Sequence, residues 1–183
     1  MALFARVVGG DRAAFEELYR LYHPRLTRFL LNLIRRPTLV EEVLDDTMMT
    51  VWQTAANFRG ASKPSTWIFA IAYRKAIKAK SRWPDPMEDV EFDRRVDPDA
   101  RPDEQLQQQR LHHALLQAMQ ELSVEHRAVV ELTYFHGLGY REIADIVGCP
   151  AETVKTRMFH ARQRLRKTMR GNFTDWLWND END

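Results

Sequence analysis

Apolar residues recur at three- and four-residue spacing along most of this chain, the signature of one-sided helices. Asp11 is placed to cap a helix from Arg12, in which Phe15, Leu18, Tyr19 and Tyr22 share a face. Pro24 is expected to bend or reset that helix before a second stripe of Leu26, Phe29, Leu30, Leu33 and Ile34. Pro37 then ends the segment, and Thr38 with Glu41 fits a capping box for a helix from Leu39 to about Asn57. That helix is expected to bury Leu39, Val43, Met48, Val51 and Trp52. Residues 58–63 read as a polar loop, and Pro64 suits the first turn of a helix to about Arg82 with Trp67, Ile68, Ile71 and Ala72 apolar. Trp83-Pro84-Asp85-Pro86 stops it, and four prolines with nearly continuous charge up to Pro102 read as a linker. Beyond it the spacing predicts a helix over 104–121, with Leu111, Leu115, Ala118 and Leu122 inward. Another follows over 124–135, capped by Ser123 and ended by Gly137. A short helix over 140–147 stops at Gly148, and a last one runs from near Pro150 to about Arg170, burying Val154, Met158, Ala161 and Leu165. No strand pattern competes, so the fold class is all-α: two small helical domains joined by an acidic linker.

Charge sharpens this division. The net charge of the 183 residues is only +1, yet residues 1–82 hold 14 Lys/Arg against 7 Asp/Glu, and residues 110–171 hold 10 against 6. Residues 83–109 are acidic, with 3 against 9. Two basic blocks around an acidic stretch suggest two units that each meet a polyanion. A single cysteine, Cys149, excludes an internal disulfide and a cysteine metal cage. The absence of a secretory signal pattern in residues 1–10 and of any membrane-length apolar run predicts a cytoplasmic protein without membrane insertion.

The most specific constellation is Tyr140-Arg141-Glu142-Ile143-Ala144-Asp145-Ile146-Val147-Gly148 followed by Thr153-Val154-Lys155-Thr156-Arg157. A small residue at Ala144, a turn at Gly148 and a wedge of Ile143, Val147 and Val154 make a helix-turn-helix. Its second helix projects Glu152, Lys155, Thr156, Phe159 and His160, chemistry suited to a major groove. Arg157, Arg162, Arg164, Arg166 and Lys167 surround them and can meet phosphates.

These residues, with the ordered run Ala14-Phe15, Leu18-Tyr19, Tyr22, Pro24-Arg25-Leu26, Glu41-Glu42-Val43, Val51-Trp52 and Phe58-Arg59-Gly60, resemble the extracytoplasmic-function sigma factors of bacterial RNA polymerase. The likeness assigns residues 1–82 to region 2, 83–103 to the linker, 104–171 to region 4 and leaves 172–183 as an acidic-aromatic tail. It implies a non-catalytic protein that binds core RNA polymerase, recognises the −35 element with region 4, and recognises and opens the −10 element with region 2. The acidic face Glu41, Glu42, Asp45 and Asp46 matches the polymerase-docking surface, although a merely solvated face has the same composition. Phe58, Ser62, Lys63, Arg74, Lys75 and Lys78 match the −10 capture region, where cations beside an apolar surface suit an unstacked strand. Glu152, Lys155, Thr156, Arg157, Phe159 and His160 match the −35 reader. Asp45, Pro64, Arg74 and Lys78 depart from residues common in the family at those positions. An anti-sigma factor is the further partner that the resemblance implies.

Other candidates are weaker. His112 and His113 are adjacent and point to different helix faces, His136 reads as ordinary helix-end chemistry, and Cys149 as a small buried hydrophobe. No metal framework, phosphate loop or nucleophile–base motif is present, so neither cofactor nor small-molecule substrate is expected. Two alternatives share the C-terminal pattern: a free-standing dimeric helix-turn-helix regulator, and a sigma mimic that titrates an anti-sigma factor. In the tail, Trp176 and Trp178 among four acids either patch region 4, fray, or fold back on the basic blocks.

Overall fold

Asp11 caps the longest helix as its position requires. Its carboxylate accepts from the Ala14 N–H and pairs with Arg6, and both contacts hold its pKa below the usual carboxylate value. The computed structural model describes residues 2–82, 114–115 and 117–169. Its helices are α1 (Ala2–Val8), α2 (Arg12–Ile34), α3 (Pro37–Thr54), α4 (Pro64–Arg82), α5 (seen at residues 114–115 and 117–120), α6 (Val124–Tyr134), α7 (Tyr140–Val147) and α8 (Ala151–Thr168). A 3₁₀ turn, Ala55–Asn57, follows α3. No strand occurs among the described residues. The linker, His112, His113 and the tail with Trp176 and Trp178 lie outside them.

Two expectations are corrected, and one element is new. Pro24 neither bends the chain into a new element nor ends one: α2 continues through it to Ile34. Leu18, Tyr22, Leu26, Phe29, Leu30 and Leu33 are buried on both sides of the proline, and that packing outweighs the one lost helix hydrogen bond. The capping box at Thr38 does not form. Arg36 occupies the N-cap, and Pro37, which has no N–H to satisfy, is the first helical residue. The new element is α1, about which the sequence pattern says nothing. Its Phe4 and Val7 are buried, and Phe4 meets Phe58 and Trp67 edge-on at 5.1 and 5.9 Å between centroids.

Tyr19 meets Asp45 and His23 meets Glu41, so α2 and α3 run antiparallel. With α4 they enclose Phe29, Leu30, Leu44, Met48, Ile68 and Phe69, all fully buried and each contributing roughly 1.5–3 kcal/mol. In the C-terminal half, α6 and α7 pack on α8 around Ile143, Ile146, Val154, Met158, Ala161 and Leu165. Gly148, at φ 69°, supplies the left-handed turn between α7 and α8, where a side chain would be strained.

The two halves are not separate bodies. α2 packs on α6 and α4 packs along α7, so the apolar core is continuous across them. Arg127 of α6 reaches the carbonyl of Asn32 at 2.8 Å and that of Leu122 at 2.8 Å. Both carbonyls belong to chain segments at helix ends, where acceptors lack a partner within the helix.

Candidate nucleic-acid interface

Along α8, Glu152, Lys155, Thr156, Phe159 and His160 are all exposed, while Val154, Met158, Ala161 and Leu165 are buried. Spacing of i, i+3, i+4, i+7 and i+8 puts the first five on one face. Phe159 is 57% exposed, a large apolar group left open at the centre of a polar surface. Its ring lies edge-on to that of His160, which in turn approaches His126. Arg157 does not share this face. It is half-buried, donates to Cys149 Sγ at 3.7 Å, and its charge acts on Tyr73 of α4 and Glu125 of α6. Cys149 itself is half-buried in the turn.

The second group extends along α4. Trp67, Arg74 and Lys78 recur at i, i+7 and i+11, one stripe of the helix, and Arg74 and Lys78 are exposed. Phe58 is half-buried, 5.3 Å from the Trp67 ring, so it is part of an aromatic cluster whose third member, Phe4, comes from α1. Ser62 is half-buried in the loop beside it. Lys63 pairs with Glu142 of α7 at 2.8 Å, which holds the Glu142 carboxyl below its usual range. Lys75 turns to the other side of α4 and pairs with Asp46 at 2.6 Å.

The third group is the acidic face of α3. Glu41, Glu42, Asp45 and Asp46 are exposed together. Two of them are held in place: Asp45 accepts from the Tyr19 hydroxyl at 2.8 Å and Asp46 from Lys75. Partial burial, and then the hydrogen bond to Asp45, push the Tyr19 pKa up to about 12, so this phenol stays protonated and keeps donating. Met49, 53% exposed, extends the stripe one turn further and escaped the sequence reading because a methionine in a helix ordinarily reads as core.

His136 is also corrected. Its side chain is 4% exposed and lies against Phe69 at 4.6 Å and Phe29 at 6.0 Å, so it plugs the junction between the halves. Burial, with the Arg25 and Arg28 charges, lowers its pKa to about 4. Beside it Glu131 is fully buried. Arg28 Nε and His136 Nε2 stand 3.7 and 3.9 Å from Glu131 Oε1, beyond hydrogen-bond distance. Burial raises the Glu131 pKa to about 7, against the opposing pull of Arg28 and Asn32.

No group of residues among those described could hold a metal ion, and no described helix is long and apolar enough to cross a membrane. The family model described as "Sigma-70 region 2" matches residues 18–83, and "Sigma-70, region 4" matches residues 112–165. The chain is 35% identical over 164 residues to the ECF RNA polymerase sigma factor RpoE of Cereibacter sphaeroides, covering 87% of this chain and 88% of that protein. It is 28% identical over 177 residues to the RNA polymerase sigma-H factor of Pseudomonas aeruginosa, covering 91% and 92%. Among solved structures, the sigma factor RpoE of Bartonella quintana, crystallised with the anti-sigma factor NepR, shares the fold with a TM-score of 0.66. That match has 24% identity and covers 87% of this chain and 98% of the other.

Proposed function

This chain belongs to the ECF RNA polymerase sigma factors, which direct transcription initiation, and on that footing we propose how its surfaces divide the work. Residues 104–171 read the −35 element, residues 1–82 bind core RNA polymerase and the −10 element, 83–103 link them, and 172–183 form a tail. The observation that carries the reading is the face of α8: Glu152, Lys155, Thr156, Phe159 and His160 stand outward on a helix whose opposite side is locked into the helix-turn-helix core. Such a face enters a major groove, where polar groups read base edges and an aromatic ring meets a thymine methyl. Arg164, Arg166 and Lys167, exposed in the last turns, supply phosphate contacts.

Lys63 just before α4, and Arg74 and Lys78 on it, provide cations beside the half-buried Phe58 and Ser62, a combination that suits a displaced single strand. Lys63 and Lys75, paired with Glu142 and Asp46, serve this role less directly, as Arg157 does the −35 role, since each is engaged within the chain. The Glu41, Glu42, Asp45 and Asp46 face, with Met49 at its edge, docks on core polymerase. Tyr19 and Lys75 fix two of its carboxylates in advance, which lowers the ordering cost of docking. The protein acts in the cytoplasm, without catalysis of its own, and an anti-sigma factor is its expected regulator, as for the Bartonella quintana protein.

Transcription in vitro, with purified chain and core polymerase on a promoter library, tests this reading. Initiation that needs both chain and core, at promoters sharing −35 and −10 sequences, is the expected result. Sequence-specific binding by a dimer without core polymerase would replace it with the regulator alternative.

A further inference from the structure

Beside the outward face of α8 stands a titratable side chain from another helix. His126, in the first turn of α6, is half-buried, and its ring lies 6.4 Å from that of His160, centroid to centroid, with the planes 74° apart. Ser123 holds it there through two contacts. The serine Oγ accepts the His126 backbone N–H at 3.4 Å and lies 2.7 Å from Nδ1 of the same residue. Nδ1 is thereby occupied, while Nε2 makes no hydrogen bond among the described residues. His160 is exposed, and the Phe159 ring stands 5.5 Å beyond it. Phe159, His160 and His126 thus form one aromatic row that runs from α8 onto α6.

The charges around His126 decide what its open nitrogen can take. Arg157 and His160 face it from α8 and Glu125 precedes it on α6, with Tyr73 of α4 beyond Glu125 and Arg157. Burial first, and then the Arg157 charge, lower the His126 pKa from 6.5, against the pull of Glu125. The ring is therefore mostly neutral in the free chain at neutral pH, and an anion brought to it would favour the protonated form. A DNA phosphate is such an anion. The imidazolium donates to it from Nε2 while Nδ1–H stays on Ser123 Oγ. A base edge is the poorer partner, because this half-buried ring borders a face whose exposed side chains stand outward on α8.

We propose that His126 is a positioning residue of the −35 surface, gripping one backbone phosphate next to the base that His160 meets and taking up a proton as it does so. α6 thereby joins α8 in fixing the register of the reader helix, since phosphate contacts orient and base contacts specify. The linkage has a definite sign. Phosphate raises the His126 pKa in the complex, so the added affinity is complete below the free-chain pKa and is lost as pH rises through the value in the complex. Raising it by about one is worth about tenfold in affinity.

The proposal rests on the −35 reading of α8, and its test separates the two. The full chain is assembled with core polymerase, and affinity for promoter fragments with an intact or a scrambled −35 element is measured at about pH 6 and about pH 8. Wild type is expected to bind the intact fragment about tenfold tighter at the lower pH. His126→Asn keeps an atom for Ser123 but lacks Nε2, and is expected to lose most of that gain. His126→Lys carries its charge at both pH values and is expected to bind tightly at both. A single methylphosphonate, which removes one phosphate charge, is then moved along the −35 backbone. At one position it is expected to abolish the gain of wild type and to leave His126→Asn unaffected. An undiminished gain in His126→Asn would overturn the proposal, as would a gain that no methylphosphonate removes. A preference for the intact fragment with no gain at low pH would overturn the proposal alone. Loss of that preference in wild type would remove the −35 reading and the proposal with it.

Discussion

The guanidinium of Arg127 donates to the carbonyl of Asn32 at 2.8 Å, so a residue of the helix-turn-helix half caps the longest helix of the other half. Asn32 lies in the last turn of α2, where carbonyls lack an intrahelical donor and a cation is favoured by the helix dipole. The same side chain also donates to Leu122. Arg127→Met therefore leaves buried acceptors unsatisfied at both places and is expected to cost about 3 kcal/mol. Urea denaturation monitored by circular dichroism measures it. Arg127→Lys should recover only part, because an ammonium cannot present a planar fork to two carbonyls.

Acidity should act on the seam between the two halves through two groups of opposite sign. Glu131 has its pKa raised from 4.5 to about 7, so its contribution is fullest below 4.5 and is lost as pH rises through 7. His136 has its pKa lowered from 6.5 to about 4, so its contribution is present above 6.5 and is lost as pH falls through 4. Arg25 and Arg28 of α2 face this pair and, with Asn32 and Arg127, complete its polar surroundings. Between about pH 4.5 and 6.5 the two trends oppose each other. Glu131→Gln is expected to make stability fall on acidification across that window, and His136→Asn to make it rise. Thermal midpoints at half-unit pH steps, compared with wild type, check both signs; matching slopes in the two variants would contradict the assignment.

Base reading should be confined to the outward face of α8. Lys155→Ala and Phe159→Ala are expected to change −35 base preference by about 1–3 kcal/mol at one or two positions. Arg164→Ala and Lys167→Ala should weaken binding to every sequence and reduce the salt slope. A base-substituted −35 panel, measured at two salt concentrations with holoenzyme, distinguishes the two classes.

Charge reversal on α3 should separate docking from folding. Asp46→Lys breaks the exposed pair with Lys75, a contact worth at most about 1 kcal/mol, and sets two cations facing each other. Affinity for core polymerase is expected to fall at least tenfold, with the thermal midpoint nearly unchanged. Met49→Ala should lower affinity without touching stability, because half of its surface is open. Both affinities are read by titration with labelled core.

The N-terminal helix should matter more than its length suggests. Phe4→Ala removes a buried ring from the Phe58–Trp67 cluster and is expected to cost about 3 kcal/mol. Because Phe58 belongs to the proposed −10 surface, the same change should slow promoter opening more than it slows closed-complex formation. Permanganate footprinting over time resolves the two steps.

The helix-turn-helix was legible in the sequence, because Ile143, Gly148, Val154, Met158 and Leu165 obey one period and one turn rule, although the expected wedge held the half-buried Val147 and left out the buried Ile146. So were the caps at Asp11 and Ser123, whose side chains accept as their type demands. What was not legible depended on partners far away in the chain. Pro24 is tolerated by packing that no local rule sees, and α1 is too short to show a period. His136 near Gly137 looks like any helix end until Phe29 and Phe69 enclose it. Arg157 belongs to the right motif but sits about 140° from Glu152 around the helix, which a list of basic residues conceals.

The continuity of the core across the two halves limits how this protein could exchange promoters with its relatives. On the proposed reading, specificity can drift through positions 152, 155, 156, 159 and 160, because these residues are exposed and lie outside the buried core. A transplant of the whole C-terminal half is a different matter. The donor would have to bring an arginine that fits beneath Asn32, a ring that fits between Phe29 and Phe69, and an acid opposite Lys63. Recombination between relatives is therefore expected to be tolerated mainly where both halves come from lineages that kept the same seam.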